Sequence, residues 1–194
     1  MIGVVRSLYS EPIRMSEPTD APIRIVPYDA SWPRLFEAER EQLARLLAPW
    51  LAGPIEHIGS TAISGLPAKP IIDIMVAVAD LDVSRDALPA AASHGYLYFP
   101  YRADVMHWLC KPSPSFRTHH LHLVPFGSRL WVERLAFRDC LRHTPAIAAE
   151  YAALKRRLAD LHQFDREAYT EAKGPFIQRV LELDAQPAKR RGTQ

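Results

Sequence analysis

Residues 54–78, PIEHIGSTAISGLPAKPIIDIMVAV, decide how the rest of this sequence is read. They predict a strand, a tight turn at Gly59-Ser60, a short helical segment, an entry led by Lys69-Pro70, and an apolar strand broken by one carboxylate, Asp73. An unpaired ion inside a run of Ile, Met and Val is very costly. Asp73 is therefore expected at a strand end or cleft, facing a metal, a base or a cation.

Working outward, the 194 residues are 48% hydrophobic and 24% charged, enough for one globular domain with a real core. A formal net charge of +2 is smaller than the contribution of Lys189, Arg190 and Arg191 alone, so no strongly basic face and no obligatory nucleic-acid partner is implied. Cys110 and Cys140 form neither a disulfide framework nor a zinc spacing and read as reduced thiols. No apolar run reaches the ~18 residues of a membrane span, and no signal-peptide core opens the chain, which points by elimination to the cytoplasm.

Residues 1–22 carry Pro12, Pro18 and Pro22 without sustained periodicity and read as a flexible leader. Residues 23–28 read as an edge strand stopped by Pro27. Asp29, Ser31 and Pro33 then open an amphipathic helix carrying Phe36, Leu43, Leu46, Leu47 and Trp50. Past the central stretch come a short helix at 87–92, paired strands at 96–101 and 104–111, and the strand of residues 118–126, THHLHLVPF, with His120 and His122 alternating against Leu121 and Leu123. From Leu130 the pattern is helical, restarting at Thr144-Pro145 and again at Asp165, with a last helix carrying Tyr169, Ala172, Phe176 and Val180. The fold class is α+β: a mixed sheet with flanking helices and a C-terminal helical segment, one domain over 23–185 and a disordered basic tail over 186–194.

Three groups can carry chemistry. Gly59, Ser60 and Thr61 offer close backbone approach, two hydroxyls and the free N–H groups of a following helix, which together suit phosphate oxygens; a plain helix cap uses the same residues. Asp73, on the next strand, has the placement of a carboxylate that holds a divalent ion for phosphoryl chemistry, or pairs structurally with Lys69 or Arg102. The histidines are the third group: His57 beside the turn, and His119, His120 and His122 in one strand. If the two strands are neighbours, Asp73, His120 and His122 converge as one carboxylate and two imidazoles, a set suited to a transition metal. Lys69, Arg102, Arg117 and Lys173 are candidate phosphate cations. Glu56 is a candidate base, although Glu56 and His57 on one strand point to opposite faces.

EHIGSTA and GLPAKPIIDIMV, with VPYDASWPRLFEAER, RTHHLHLV, AFRDCLR and REAYTEAKGPFI in order over about residues 23–183, closely resemble the GrpB family. The resemblance implies the nucleotidyltransferase superfamily fold, whose pattern is a Gly-Ser turn, two carboxylates one residue apart on the next strand, and a third on a later strand. It carries onto this chain Gly59 and Ser60 for the turn and Asp73 for the first carboxylate. The second position holds Met75, a poor magnesium ligand, and the later strand holds His120 and His122. The resulting expectation is a nucleotidyltransferase-like site binding a nucleotide or phosphorylated small molecule with a divalent metal, Mg or Mn, and transferring a nucleotidyl group. In it Asp73 and His122 are catalytic, Asp73, His120 and His122 hold metal, and Gly59, Ser60, Thr61, Lys69 and Lys173 take phosphate. The alternatives are a non-catalytic ligand-binding member of the fold, and a transition-metal site at Asp73, His120 and His122.

Overall fold

The computed structural model describes residues 21–190, and the side chains of residues 21–184. Nearly all of the leader expected at 1–22, and the last four residues, lie outside these. Helix α1 (Trp32–Leu46) has Pro33 in its first turn, and Asp29 Oδ1 accepts the Ser31 N–H at 2.8 Å just ahead of it. The helix stops short of Trp50, because Pro49 has no N–H with which to continue the ladder; a 3-10 turn (Ala48–Trp50) follows instead.

Five strands form one sheet in the order β1-β2-β5-β4-β3. They are β1 (Leu51–Ile58), β2 (Ile72–Val78), β3 (Leu97–Phe99), β4 (His107–Pro112) and β5 (Arg117–Pro125). Only β2 and β5 run parallel; their neighbours are antiparallel. The short helices α2 (Leu81–Ser84) and α3 (Ala87–Ser93), with β3 and β4, make the crossover between the parallel pair. Residues 23–28 do not form the expected edge strand. They contribute one isolated bridge, Val26 with Ala68, closed by N–H···O bonds of 2.9 and 3.0 Å, and Pro27 has no N–H to extend it.

Period-two alternation sorts the side chains of β2 and β5 between two cores. Ile72, Ile74, Val76 and Val78 join Leu109, Leu121 and Leu123 under Trp32, Phe36 and Leu43 of α1. Met75 and Ala77 face the other way, with Trp108, Cys110, Val124 and Trp131. That second face is covered by α4 (Arg129–His143), and α5 (Pro145–Leu161) and α7 (Gly174–Arg190) pack outside it around Leu141, Tyr151 and Phe176. The last helix expected from Asp165 is split in two. Asp165 Oδ1 caps α6 (Arg166–Glu171) by accepting the Ala168 N–H at 2.9 Å, and α7 starts afresh at Gly174. Helix α7 runs through Arg190, past Gln186, where the sequence reading begins its tail. The architecture is the expected α+β mixed sheet with helices on both faces.

Candidate metal centre

The parallel register places Asp73 beside His120 and Met75 beside His122. Strand alternation then turns Asp73, His120 and His122 to one face, the face that carries α4. His120 Nδ1 lies 2.8 Å from Asp73 Oδ1, and His122 Nε2 lies 3.7 Å from the same oxygen, beyond hydrogen-bond range. The Asp73 side chain remains 26% exposed, so the end of the cleft opens to solvent. On its other flank, β1 pairs Ile58 with Asp73, and the chain turns at once through Gly59 with φ +69°. A side chain at Gly59 would collide with the Asp73 carboxylate, so this turn needs glycine for both its backbone and its space.

Burial opposes ionisation of Asp73, yet the hydrogen bond with His120, with the polar His122 ring close by, holds its carboxyl well below the ordinary value. Burial pushes the imidazoles down, His122 to about 3 with help from Arg134. The state near neutral pH is thus a carboxylate between two neutral imidazoles. Neutral nitrogens with lone pairs and an anionic oxygen are what a divalent ion binds. One ligand atom from each of the three residues falls within a 4.8 Å span. Both His122 ring nitrogens and His120 Nε2 are buried without a hydrogen bond, an expensive arrangement for polar atoms unless something else satisfies them. The residues therefore fit a metal ion, and two nitrogens with one oxygen suit manganese, iron or zinc better than magnesium.

Cations crowd this acid. Lys69 and Lys173 place their ammonium groups 4.8 and 4.4 Å from the Tyr169 ring centre, from opposite ends of the sequence. Burial, Lys69 and Arg134 push the Lys173 ammonium down to about 7, against the attraction of Asp73. Sequence reasoning missed Arg134 altogether. It interrupts the apolar face of α4 three residues after Trp131, a pattern that could have flagged it.

Other expected residues are committed elsewhere. Thr61 is buried; its hydroxyl donates to the Ile71 carbonyl at 3.1 Å and lies 3.0 Å from His57 Nε2, so it braces the turn from inside rather than facing the cleft. Ser60 heads a three-residue 3-10 turn, not an α-helix, and its hydroxyl interacts with the Tyr151 phenol. Glu56 accepts Arg138 Nη1 at 2.6 Å, on the face opposite His57 as strand alternation requires, and is tied up as an ion-pair partner. His57 stacks on Phe36 with ring centres 4.6 Å apart and helps line a groove of about 440 Å³ with Pro33, Arg40 and Arg142.

With this geometry in view, the comparisons with known proteins are specific. The GrpB protein family profile matches residues 22–183, and the chain belongs to that family. UPF0157 protein PA4798 of Pseudomonas aeruginosa is 38% identical over 174 residues, 87% of this chain and 70% of its own length. The crystal structure of GrpB from Enterococcus faecalis superposes with a TM-score of 0.76 at 32% identity, covering 85% of this chain and 99% of that one. The Cid1 poly(U) polymerase bound to Mg and 3'-dATP is similar with a TM-score of 0.51 over 76% of this chain and 49% of its own, at 12% identity. At that identity the likeness establishes a nucleotidyltransferase-like fold and nothing finer.

Proposed function

We propose that the Asp73 cleft binds a nucleotide or another phosphorylated small molecule together with one divalent metal ion. The observation that carries this reading is the set of orphaned imidazole nitrogens on His120 and His122 facing an ionised Asp73. Among the described residues no other three-donor cluster of this kind occurs. Asp73, His120 and His122 hold the ion, which when bound supplies a Lewis acid for a phosphoryl oxygen. The backbone of the Gly59 turn approaches the phosphate, and Lys69 and Lys173 offset its charge.

Charge balance supports a phosphorylated ligand. One carboxylate stands among Lys69, Lys173 and Arg134, and Arg117 acts on His120 from the rim. An anionic phosphate group brought beside these cations would be attracted by each of them.

Nucleotidyl transfer is the second reading, favoured by the Gly-Ser turn lying directly against Asp73. Met75 weighs against it. It is fully buried in the apolar core where a second metal-holding acid would stand, so a two-metal route has no second carboxylate. Binding without transfer is accordingly the conclusion.

Titration calorimetry with Mn²⁺ or Zn²⁺, alone and with ATP, tests the proposal on protein freed of metal and carrying no histidine tag. Binding that disappears in Asp73→Asn supports it. Absence of binding in the wild type, or equal binding in the variant, sinks it. Release of pyrophosphate on adding candidate acceptors would promote the second reading.

A further inference from the structure

Beside the metal centre, on the side away from the Gly-Ser turn, the cleft wall is aromatic. The His120 ring is 5.1 Å from Trp108; Phe99 and Tyr101 follow at 5.7 and 6.2 Å from the same indole; and the Arg117 guanidinium lies 5.1 Å from the Trp108 ring centre. Most of this ladder is interior, since Trp108 is 9% exposed, but Tyr101 at its outer end is 47% exposed. A tyrosine left this open at the end of a packed aromatic row presents a ring that the fold does not cover.

The backbone next to it is unusual. Arg102 has φ +50°, the one non-glycine residue in the left-handed region among those described. Such a conformation persists where surrounding structure enforces it, and it concentrates at ligand sites. The Val105 and Met106 N–H groups both donate to the Arg102 carbonyl, at 3.0 and 3.2 Å, which pins the bend. The loop also reaches the metal centre electrostatically, since Arg134 feels Asp73, Arg102 and Tyr101 together.

We infer that Tyr101, with Arg117 and Trp108 behind it, forms a stacking subsite for the flat ring of the ligand. The ligand is then a phosphate ester joined to an aromatic ring, as in a nucleotide, and not a sugar phosphate or an inorganic polyphosphate. An aromatic face and a guanidinium plane recognise any nucleobase through stacking, with little demand on its hydrogen-bonding edge. The subsite thus fixes a class of ligand and leaves base identity open. This rests on the phosphate-and-metal reading above.

The test compares ATP with inorganic tripolyphosphate, each with Mn²⁺, by calorimetry on the full chain. Wild type binds ATP about tenfold more tightly than tripolyphosphate, the size expected of one stacked base. Tyr101→Ala removes that preference while tripolyphosphate affinity stays as it was, and Tyr101→Phe retains it. Tyr101 is exposed, so both variants fold. Equal wild-type affinity for the two probes overturns the stacking subsite and leaves the phosphate reading standing. A Tyr101→Ala variant that weakens both probes alike overturns it too, as a general effect on the cleft. If neither probe binds, both readings fall together.

Discussion

Glu39 and Asp73 are two acids held against opposite faces of the same sheet, each among imidazoles and amines, and they differ in how far they are satisfied. Glu39, on α1, accepts the Tyr96 hydroxyl at 2.9 Å and Lys111 Nζ at 2.6 Å, with His94 Nε2 3.3 Å away. Lys111 overcomes the burial that would otherwise raise its pKa. Asp73 has one hydrogen bond of 2.8 Å to His120, and the second imidazole beside it touches nothing polar within bonding distance. The two clusters teach that a buried acid by itself marks nothing. Unused bonding capacity is what separates a structural network from a candidate site.

That contrast can be broken most directly at Glu39. Replacing it by Ala strands the Lys111 ammonium against the apolar core, and a loss of about 3–5 kcal/mol in urea unfolding is expected. Metal affinity of the protein that remains folded should not change. A smaller loss than that of Asp73→Asn would invert the assignment of roles.

Acidification comes next in size. Burial, with Arg142 and Arg138, pushes the His57 imidazole to about 4. The unfolded chain, with its histidine near 6.5, takes up a proton that the folded chain refuses, so stability is held above pH 6.5 and lost as pH falls toward 4. The difference amounts to about 3 kcal/mol, read as a falling Tm of metal-free protein between pH 7 and pH 4, and His57→Gln should flatten the slope. A slope unchanged in that variant would mean other groups carry it.

Asp73→Asn should weaken metal binding about 100-fold or more and should cost less unfolding stability than Glu39→Ala, because its carboxylate makes one hydrogen bond where that of Glu39 makes two. His122→Leu should weaken the same binding about 10- to 100-fold without reducing the Tm, since the leucine keeps the buried volume filled and the nitrogens it removes make no hydrogen bond. Should either variant unfold at a markedly lower temperature, the Asp73 cluster would be a structural network like that of Glu39. The smallest effect belongs to His94→Ala, about 1 kcal/mol or less in stability, because its contact with Glu39 is an ion-pair distance without a hydrogen bond.

The parts of the site legible in the sequence are those set by short-range pattern. The Gly-Ser turn, the lone acid on an apolar strand and the alternating histidines of THHLHLV each stand out, and their order carries the family likeness. What could not be read was the neighbourhood of each. Thr61 looks like a ligand for phosphate until the turn rotates it inward onto Ile71 and His57. Arg134 and Tyr101 sit in segments with no motif, and enter the picture only because α4 and the loop after β3 fold onto the same cleft. Residues 23–28 have the composition of a strand, but the partner they reach offers a single bridge.

The sequence by itself determined the kind of fold, the turn that requires glycine, and the three residue types that could meet around a metal, because propensity and alternation act over a few neighbouring residues. Whether those residues meet depended on β2 lying parallel to β5 in the register that sets Asp73 against His120 and Met75 against His122. Strand order and register are settled by the burial of whole faces across distant segments. The local sequence of any one strand leaves them open.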